Sequence, residues 1–310
     1  MLKMLENKLV KKEANLQVYI SACEDAETLK ILDEALTKQG LNIVSVTVVK
    51  GGWVLNLLVS PQQDAKSLTA QFKGLSEHIG VDIAFMSMNP IPSLAQVGIL
   101  FMDMDSTLIQ CECIDEIADF LGIKDEISKI TQRAMEGELD FSASLLARVK
   151  LLAGLDESVL KQVYDERIRL TDGAEHLIQT VQAHGWKVGL VSGGFTYFTQ
   201  LLAERLNLDF TRANTLEIEN GKLTGRVLGH IVDATAKKEL LIAQSKVWGI
   251  DLAHSVALGD GANDLPMLET AGLGIAFHAK PKVKALAPYT LSCGGLDQTL
   301  HLLKAAQGIG

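Results

Sequence analysis

A short apolar segment of this chain stops at two carboxylates that lie two positions apart. The segment is Val97–Met102, and Asp103, Asp105 and the hydroxyls of Ser106 and Thr107 follow it. A buried strand that ends in polar residues is typical of α/β folds, which bind ligands beyond the carboxyl ends of parallel strands. Two carboxylates about 4 Å apart repel each other by roughly 4 kcal/mol at intermediate dielectric, so we expect a cation between them, Mg²⁺ first. A turn that only caps a helix is the alternative for this motif alone.

Strands and helices alternate along the rest of the C-terminal part. The predicted elements are helix 174–184, strand 187–191, a hairpin that turns at 220–221, helix 236–247, strand 255–258, helix 264–271, strand 274–277 and a closing helix at 297–306. This alternation predicts a mostly parallel, doubly wound (Rossmann-like) sheet of the α/β class. After the Asp103 strand, a charged amphipathic stretch broken by glycines predicts a helical insertion at about 111–170.

The N-terminal part has a different order of elements. Its pattern predicts strand 17–22, helix 26–39, strands 43–49 and 53–60, helix 65–80 and strand 81–88. That βαββαβ order is the split βαβ unit of ferredoxin-like α+β domains. The proline-containing stretch 89–93 then predicts a linker. We therefore expect two domains, residues 1–90 and residues 91–310, in agreement with a typical domain size of about 150 residues.

Composition argues against several classes of function. The net charge is −9 and no Lys/Arg cluster stands out, which argues against a nucleic-acid partner. The uncharged run 83–102 is long enough to cross a bilayer, but Pro90 and Pro92 interrupt it and Asp103 follows it directly, so we expect no membrane helix. The 4 cysteines form no CxxC pair, and the charged N-terminus has no signal-peptide core. These features predict a cytoplasmic protein with reduced thiols.

Three further polar motifs follow predicted strands or open a predicted helix. Ser192 and Gly193 come after one strand, Lys237 opens a helix, and the sequence GDGAND at Gly259–Asp264 follows another strand. Because open α/β sheets bind ligands at such positions, we expect these motifs to meet Asp103. A nucleophilic carboxylate, a hydroxyl beside backbone N–H groups, a cation and further carboxylates suit a phosphoryl group bound next to Mg²⁺. Taken alone, the lysine would be interpreted as solvated and the glycines as plain turns.

In this order and spacing, the motifs resemble those of the haloacid dehalogenase superfamily of phosphatases. The likeness is closest to superfamily members that act on O-phosphoserine, and it extends from about residue 97 to the C-terminus. It depends on five neighbourhoods, at residues 103–116, 134–137, 141–152, 191–195 and 259–264. The resemblance implies a Mg²⁺-dependent hydrolase that releases L-serine from O-phospho-L-serine, the last step of serine biosynthesis. It also implies that the helical insertion is a cap over the active site.

The resemblance assigns roles to the residues at the sheet edge. Asp103 would form an aspartyl-phosphate, and Asp105 would protonate the leaving alkoxide and then deprotonate the attacking water. The Asp103 side chain, the Asp105 backbone carbonyl and Asp260 would hold Mg²⁺. The remaining residues would bind phosphoryl oxygens or orient the metal ligands, with Asp264 also restraining the lysine: Ser192, Gly193, Lys237, Asn263 and Asp264.

Residues of the insertion would select the alcohol. A zwitterionic amino acid offers an ammonium group and a carboxylate, which one acid and one arginine meet best. The resemblance places Glu112 at the ammonium group and Arg148 at the carboxylate, with Met135 and Phe141 closing the pocket. Without it, the two charged residues would be interpreted as surface charges. A cap that opens and closes in each turnover is expected.

Two alternatives remain open at this point. A phosphotransferase would form the same aspartyl-phosphate and pass the phosphoryl group to another small alcohol. The N-terminal unit resembles ACT regulatory domains, which would make it an amino-acid sensor. Ligand-binding ACT domains commonly have a glycine in the first strand-to-helix loop, whereas residues 21–25 of this chain contain none. We therefore favour a structural or dimerising role, which is compatible with a homodimer.

Overall fold

The N-terminal part forms a small antiparallel sheet with two helices. The computed structural model describes residues 16–21, 26–49, 52–60, 63–87, 92–135 and 140–305. The first elements are β1 (Leu16–Ser21), α1 (Ala26–Lys38), β2 (Asn42–Val49), β3 (Gly52–Leu58), α2 (Ala65–Ile79) and β4 (Ile83–Ser87). The strand order is β2-β3-β1-β4, and every neighbouring pair is antiparallel. The predicted βαββαβ order is confirmed, while most of the predicted linker and of the loop at 21–25 lies outside the described residues.

The C-terminal part is a seven-stranded sheet covered by helices. Its elements are β5 (Ile99–Met102), α3 (Cys113–Leu121), α4 (Lys124–Met135), α5 (Phe141–Lys150), α6 (Ser158–Glu166), α7 (Ala174–Ala183), β6 (Lys187–Phe195), α8 (Thr196–Leu206), β7 (Phe210–Glu219), β8 (Lys222–Leu228), α9 (Ala234–Trp248), β9 (Ser255–Gly259), α10 (Leu265–Thr270), β10 (Leu273–Phe277), α11 (Pro281–Leu286), β11 (Tyr289–Leu291) and α12 (Gln298–Ala305). The order is β11-β10-β9-β5-β6-β7-β8, parallel throughout except for the pair β7 and β8. The predicted mostly parallel α/β sheet is confirmed.

The centre of this sheet is strand β5, whose side chains are completely buried. All of Ile99–Met102 is 0% exposed, which explains the unbroken apolar run: a parallel strand covered on both faces has no polar side. Met102 pairs with Leu190 of β6 and Leu258 of β9. The backbone N–H of Asp103 continues this pairing by donating to the carbonyl of Leu258 at 2.9 Å. The polar residues that follow these strands therefore emerge at one edge of the sheet.

Four helices lie between β5 and α7, where the sequence predicts the insertion. These are α3 to α6, and their two ends return to the same place, because the N–H of Thr171 donates to the carbonyl of Leu108 at 2.9 Å. Asp140 caps the start of α5 by accepting from the N–H of Ala143 at 2.7 Å. The insertion is thus tied to the sheet at its base and covers the edge where Asp103 lies.

Two details of the sheet bear on the sequence predictions. The hairpin is confirmed, since Asn220 and Gly221 both have positive φ, as a two-residue turn between twisted strands requires. The placement of Ser192 and Gly193 beyond a strand end is wrong, because β6 continues to Phe195. The register between β6 and β7 breaks between Val191 and Phe195, so the chain stays extended there while regular pairing is interrupted.

Hydrogen bonds join the two parts of the chain. Asp82, which is 2% exposed, accepts from the backbone N–H groups of Ser292 and Cys293 at 2.7 and 2.8 Å. The hydroxyl of Tyr19 donates to Gln298 Oε1 at 2.6 Å. A buried carboxylate and a buried phenol thus anchor the small sheet to the segment around β11 and α12. Among the described helices, none combines the length and apolar character that crossing a bilayer demands.

Candidate active site

A cleft of about 750 Å³ separates the carboxyl edge of the sheet from the inserted helices. Predicted site residues from both sides line it: Asp103, Asp105, Glu112, Phe141, Arg148, Ser192, Gly193, Asp260 and Asn263. Lys237 and Asp264 lie directly behind Asp103 and are fully buried. The side chain of Met135, the remaining predicted site residue, lies outside the described part of the chain. The structure therefore brings together every predicted site residue whose side chain it describes.

Lys237 joins two of the acids behind the cleft. Its ammonium nitrogen lies 2.7 Å from Asp103 Oδ2 and 2.7 Å from Asp264 Oδ1. The helix start holds it there: Asp233 accepts from the N–H of Ala236, and Lys237 lies in the first turn of α9. Asp264 also accepts from the N–H of Gly261 through its other oxygen, at 2.9 Å. Lys237 is therefore a paired, desolvated cation and not the solvated lysine that its sequence position alone would suggest.

Burial shifts the protonation equilibria of the acids in the cleft. Desolvation raises the pKa of Asp103 well above its usual range, and Asp264 raises it further while Lys237 opposes the shift. Desolvation, with a smaller contribution from Glu112, raises the pKa of Asp105 to about 7. It also raises the pKa of Asp260 to about 7. Burial lowers the pKa of Lys237, but the two carboxylates outweigh it and the net shift is upward, so the lysine stays charged.

A tight loop at Met104–Leu108 directs both of the hydroxyls that follow the acids. Ser106 has a left-handed backbone with φ of 54°, and its hydroxyl donates to Glu112 Oε1 at 2.8 Å. The hydroxyl of Thr107 donates to Asp260 Oδ1 at 3.3 Å. Asp105 accepts from the N–H of Cys113 at 3.2 Å, at the start of α3. The loop thus connects the sheet edge, the GDGAND segment and the first inserted helix.

The irregular part of β6 brings backbone close to the cleft. The hydroxyl oxygen of Ser192, which is 1% exposed, accepts from the N–H of Gly194 at 2.8 Å. A methyl group on Gly193 would lie 2.6 Å from the ring of Phe141, and one on Gly194 would lie 2.6 Å from Asp105 Oδ2. Glycine is needed here because side chains from the insertion and from the Asp103 loop approach the strand too closely for a Cβ.

The inserted helices present one acid, one arginine and one aromatic ring to the cleft. Glu112 precedes α3, and Arg148 lies on α5 with its Nε 3.4 Å from the carbonyl of Ser144. Burial lowers the pKa of Arg148, while Glu112 and other nearby acids oppose the shift. A guanidinium remains charged at neutral pH. The far wall of the cleft therefore offers charges of both signs beside an apolar surface formed by Phe141, Ile114 and Leu145.

The family model of haloacid dehalogenase-like hydrolases matches residues 100–269, more than half of the chain. The chain belongs to this family. It is 49% identical over 236 residues to the phosphoserine phosphatase of Haemophilus influenzae, covering 76% of this chain and 74% of that one. A crystal structure of a probable phosphoserine phosphatase from Vibrio cholerae, unliganded, has a TM-score of 0.80 at 36% identity and covers 99% of this chain and 96% of that one. The structure of a phospho-aspartyl intermediate analogue of phosphoserine phosphatase has a TM-score of 0.63 at 42% identity, covering 67% of this chain and 99% of that one.

The donor set fits the divalent metal that phosphatases of the haloacid dehalogenase family use. Carboxylate oxygens of Asp103, Asp260 and Asp264 all lie within 4.8 Å of one another. Asp103 and Asp260 line the cleft, whereas Asp264 is fully buried behind them, which makes Asp103 and Asp260 the better ligands. Acids outnumber cations in and behind the cleft: Asp103, Asp105, Glu112, Asp115, Asp260 and Asp264 against Arg148, Lys237, Lys280 and Lys282. Hard oxygen ligands with an excess of negative charge suit a divalent cation.

Several cleft residues of this haloacid dehalogenase-like hydrolase are absent from the sequence predictions. Lys280 and Lys282 line the cleft from the start of α11, where Lys280 directly precedes the helix and Lys282 lies in its first turn. The sequence could have indicated these two lysines, because they follow β10, a further parallel strand whose carboxyl end lies at the same edge of the sheet. Two buried residues next to the cleft, Thr107 and Asn214, contact Asp260 and Gly193 respectively, which lie far from them in sequence. No local pattern marks such partners.

Proposed function

We propose that this chain hydrolyses O-phospho-L-serine to L-serine and inorganic phosphate through an aspartyl-phosphate on Asp103. The observation that carries the proposal is the shared cleft: acids and a lysine at the sheet edge face Glu112 and Arg148 of the insertion. The extent of the likeness supports it, since relatives named phosphoserine phosphatase reach 52% identity. Such an enzyme is a phosphoric monoester hydrolase of serine biosynthesis.

The first half-reaction divides between two acids. We assign a carboxylate oxygen of Asp103 as the nucleophile that forms a bond to phosphorus while the bond from phosphorus to the serine oxygen breaks. Asp105 gives its proton to the departing alkoxide, a role consistent with its pKa of about 7. Lys237, Ser192 and the backbone at Gly193 would stabilise the negative charge on the phosphoryl oxygens.

The second half-reaction returns the site to its starting state. Water attacks the phosphorus of the aspartyl-phosphate, Asp105 takes the proton of that water, and phosphate leaves with the carboxylate of Asp103 restored. We propose Mg²⁺ as the metal, held by Asp103, Asp260 and the backbone carbonyl of Asp105. When bound, it would neutralise part of the phosphoryl charge and help to orient that group. Asn263 and Asp264 would orient these ligands.

Selection of serine would take place at the insertion. Glu112 would bind the substrate ammonium group. The hydroxyl of Ser106 donates to the carboxylate of Glu112 and holds it in place. Arg148 would bind the substrate carboxylate, which a planar guanidinium can meet with two hydrogen bonds. Phe141 would close the cleft against Gly193 and exclude water, and Met135 is assigned to the same closing surface.

Phosphate release tests this proposal. We expect fast release from O-phospho-L-serine in Mg²⁺, slower release from phosphothreonine and p-nitrophenyl phosphate, and none in EDTA. Asp103→Asn should abolish turnover while the protein stays folded, as its unfolding temperature would show. Substantial activity in that variant would contradict the nucleophile assignment. Consumption of phosphoserine without matching phosphate release, when another small alcohol is present, would instead indicate a phosphotransferase.

We infer two units, residues 1–90 and residues 91–310, with the first unit ACT-like and the second carrying the catalytic cleft. The separate apolar core between the four-stranded sheet and its helices supports the first, with Leu32, Leu57, Leu68 and Phe85 among its buried residues. A structural or dimerising role for the N-terminal unit stays our preference, and light scattering at two protein concentrations would test the homodimer. The cytoplasmic location stays a prediction from the sequence.

A further inference from the structure

Asn214 connects two of the motifs from a position outside the cleft. It lies on β7 and is 1% exposed. Its side-chain Nδ2 donates to the backbone carbonyl of Gly193 at 2.8 Å. Its Oδ1 accepts from the backbone N–H of Val232, also at 2.8 Å. One buried amide group therefore joins the irregular part of β6 to the segment that leads into α9.

Both partners of Asn214 belong to segments that carry residues we assign to phosphoryl binding. Gly193 follows Ser192 directly. Val232 precedes Asp233, whose side chain caps α9 and whose carbonyl accepts from the N–H of Lys237 at 3.0 Å. The amide of Asn214 thus links the backbone next to Ser192 to the segment that leads into the helix turn carrying the lysine.

The local structure explains why a side chain is needed for this link. Regular pairing between β6 and β7 is interrupted between Val191 and Phe195, so the sheet ladder does not hold Gly193. Asn214 stands opposite Phe195 in the register and reaches back to Gly193. The asparagine amide carries its donor and its acceptor on two separate atoms, and each atom serves one of these two hydrogen bonds. Aspartate lacks the donor, and leucine lacks both groups.

We propose that Asn214 is a positioning residue that holds Ser192 and Gly193 at a fixed distance from Lys237 before substrate binds. Groups that are fixed in advance stabilise developing charge without reorganising during the reaction. The inference depends on the proposed function only in that these three residues bind a phosphoryl group; it is independent of the alcohol. Loss of the amide should therefore slow every phosphate monoester by a similar factor and leave the preference for phosphoserine unchanged.

Two variants and a matched control test the role of the amide. Asn214→Ala removes both hydrogen bonds, whereas Asn214→Asp keeps the acceptor for Val232 but places a carboxylate oxygen against the carbonyl of Gly193. The control is Thr211→Val on the same strand, because the hydroxyl of Thr211 is buried and has no hydrogen-bond partner among the described residues. We expect both Asn214 variants to lower kcat by about 10- to 100-fold on phosphoserine and on p-nitrophenyl phosphate alike. Thr211→Val should keep the wild-type kcat.

Calorimetric titration with inorganic phosphate in Mg²⁺ separates positioning from a merely structural role. We expect about one phosphate per chain in every variant, with a weaker affinity in the two Asn214 variants. A drop in stoichiometry that matches the drop in kcat, with unchanged affinity in the remaining sites, would mean that the variants are partly unfolded and would overturn the proposal. So would a wild-type kcat in Asn214→Ala, or failure of the wild type to bind phosphate. If the wild type binds phosphate but does not prefer phosphoserine, the proposed substrate fails while these measurements still decide the role of Asn214.

Discussion

Replacing Lys237 with methionine should destabilise the metal-free protein strongly. The ammonium group is 0% exposed and lies 2.7 Å from a carboxylate oxygen on each side. Methionine has a similar shape and no charge, so Lys237→Met would leave Asp103 and Asp264 facing each other in a buried site. Removal of one partner from a buried ion pair costs about 3–5 kcal/mol, because the charge left behind is no longer compensated.

This cost should be visible as a shift in the unfolding temperature. For a domain of about 150 to 250 residues, 1 kcal/mol corresponds to about 2–4 °C, so we expect a decrease of about 6–20 °C for Lys237→Met in EDTA. Added Mg²⁺ should recover part of that loss, since a ligand that binds only the folded state stabilises it. Turnover should fall by at least about 10²-fold, because the variant loses the cation that we propose binds the phosphoryl oxygens.

A second substitution, Asp264→Asn, should have opposite effects on stability in the wild type and in Lys237→Met. Asp264→Asn on its own removes one partner of the lysine and should be destabilising. In the Lys237→Met background it removes one of two facing carboxylates, so the double variant should be more stable than Lys237→Met alone. The measurements are thermal unfolding followed by circular dichroism, in EDTA and in Mg²⁺.

The neighbouring lysine provides the control. Lys238 is exposed, so Lys238→Met should change the stability by less than about 0.5 kcal/mol. If Lys237→Met proves as stable as Lys238→Met in EDTA, or if the double variant is less stable than the single one, the assignment of Lys237 as the cation that compensates two buried carboxylates is refuted.

Three more substitutions probe the cap, the cleft entrance and the join between the two sheets. Arg148→Ala should lower kcat/KM for phosphoserine by about 10- to 100-fold, through loss of a charge-assisted hydrogen bond, and that for p-nitrophenyl phosphate far less; equal losses would contradict a carboxylate clamp. Lys280→Gln, beside Asp260, should lower kcat/KM a few-fold at low ionic strength and have no effect at high salt, whereas the control Lys284→Gln, in the helix that follows, should leave kcat/KM unchanged at both. Asp82→Ala should cost about 2–4 kcal/mol in urea unfolding, because two backbone N–H groups lose their charged acceptor; an unchanged midpoint would show that the join contributes no stability.

The elements that sequence patterns locate well are those with a strong local signal. The boundaries of α1, β2 and α2 agree with the prediction within about a residue, because apolar spacing, an Asp64 cap and a left-handed Gly80 mark them. The sequence pattern does not predict helix α8 at Thr196–Leu206, because the helix begins directly at the end of β6 with no side-chain cap and no intervening turn. The short β11 and α11 have too few residues to show a period.

In the candidate site, too, some residues are indicated by the sequence pattern and others are revealed only by the fold. Acids and glycines that follow apolar strands are visible in the sequence because the sheet brings all strand ends to one edge. The extension of β6 through Ser192 is not visible in the sequence, because the residues that contact this part of the strand, Asn214 and Phe141, lie far from it in sequence. The roles of the two hydroxyls also follow only from the fold: Ser106 meets Glu112, and Thr107 meets an acid 153 positions away.

The two sides of the cleft differ in how firmly their side chains are held. At the sheet edge, Lys237 has two carboxylate partners, and Asp264 accepts hydrogen bonds on both oxygens. On the insertion, Glu112 is exposed and accepts one side-chain hydrogen bond, and the contact of Arg148 Nε with a carbonyl is long, at 3.4 Å. Preorganised groups are most useful where charge develops in the transition state. Side chains that are held less firmly can instead form their hydrogen bonds with the ammonium or carboxylate group of the substrate as it binds. On this basis we expect substitutions at the sheet edge to lower kcat for all phosphate monoesters, and substitutions in the insertion to change which monoester is preferred.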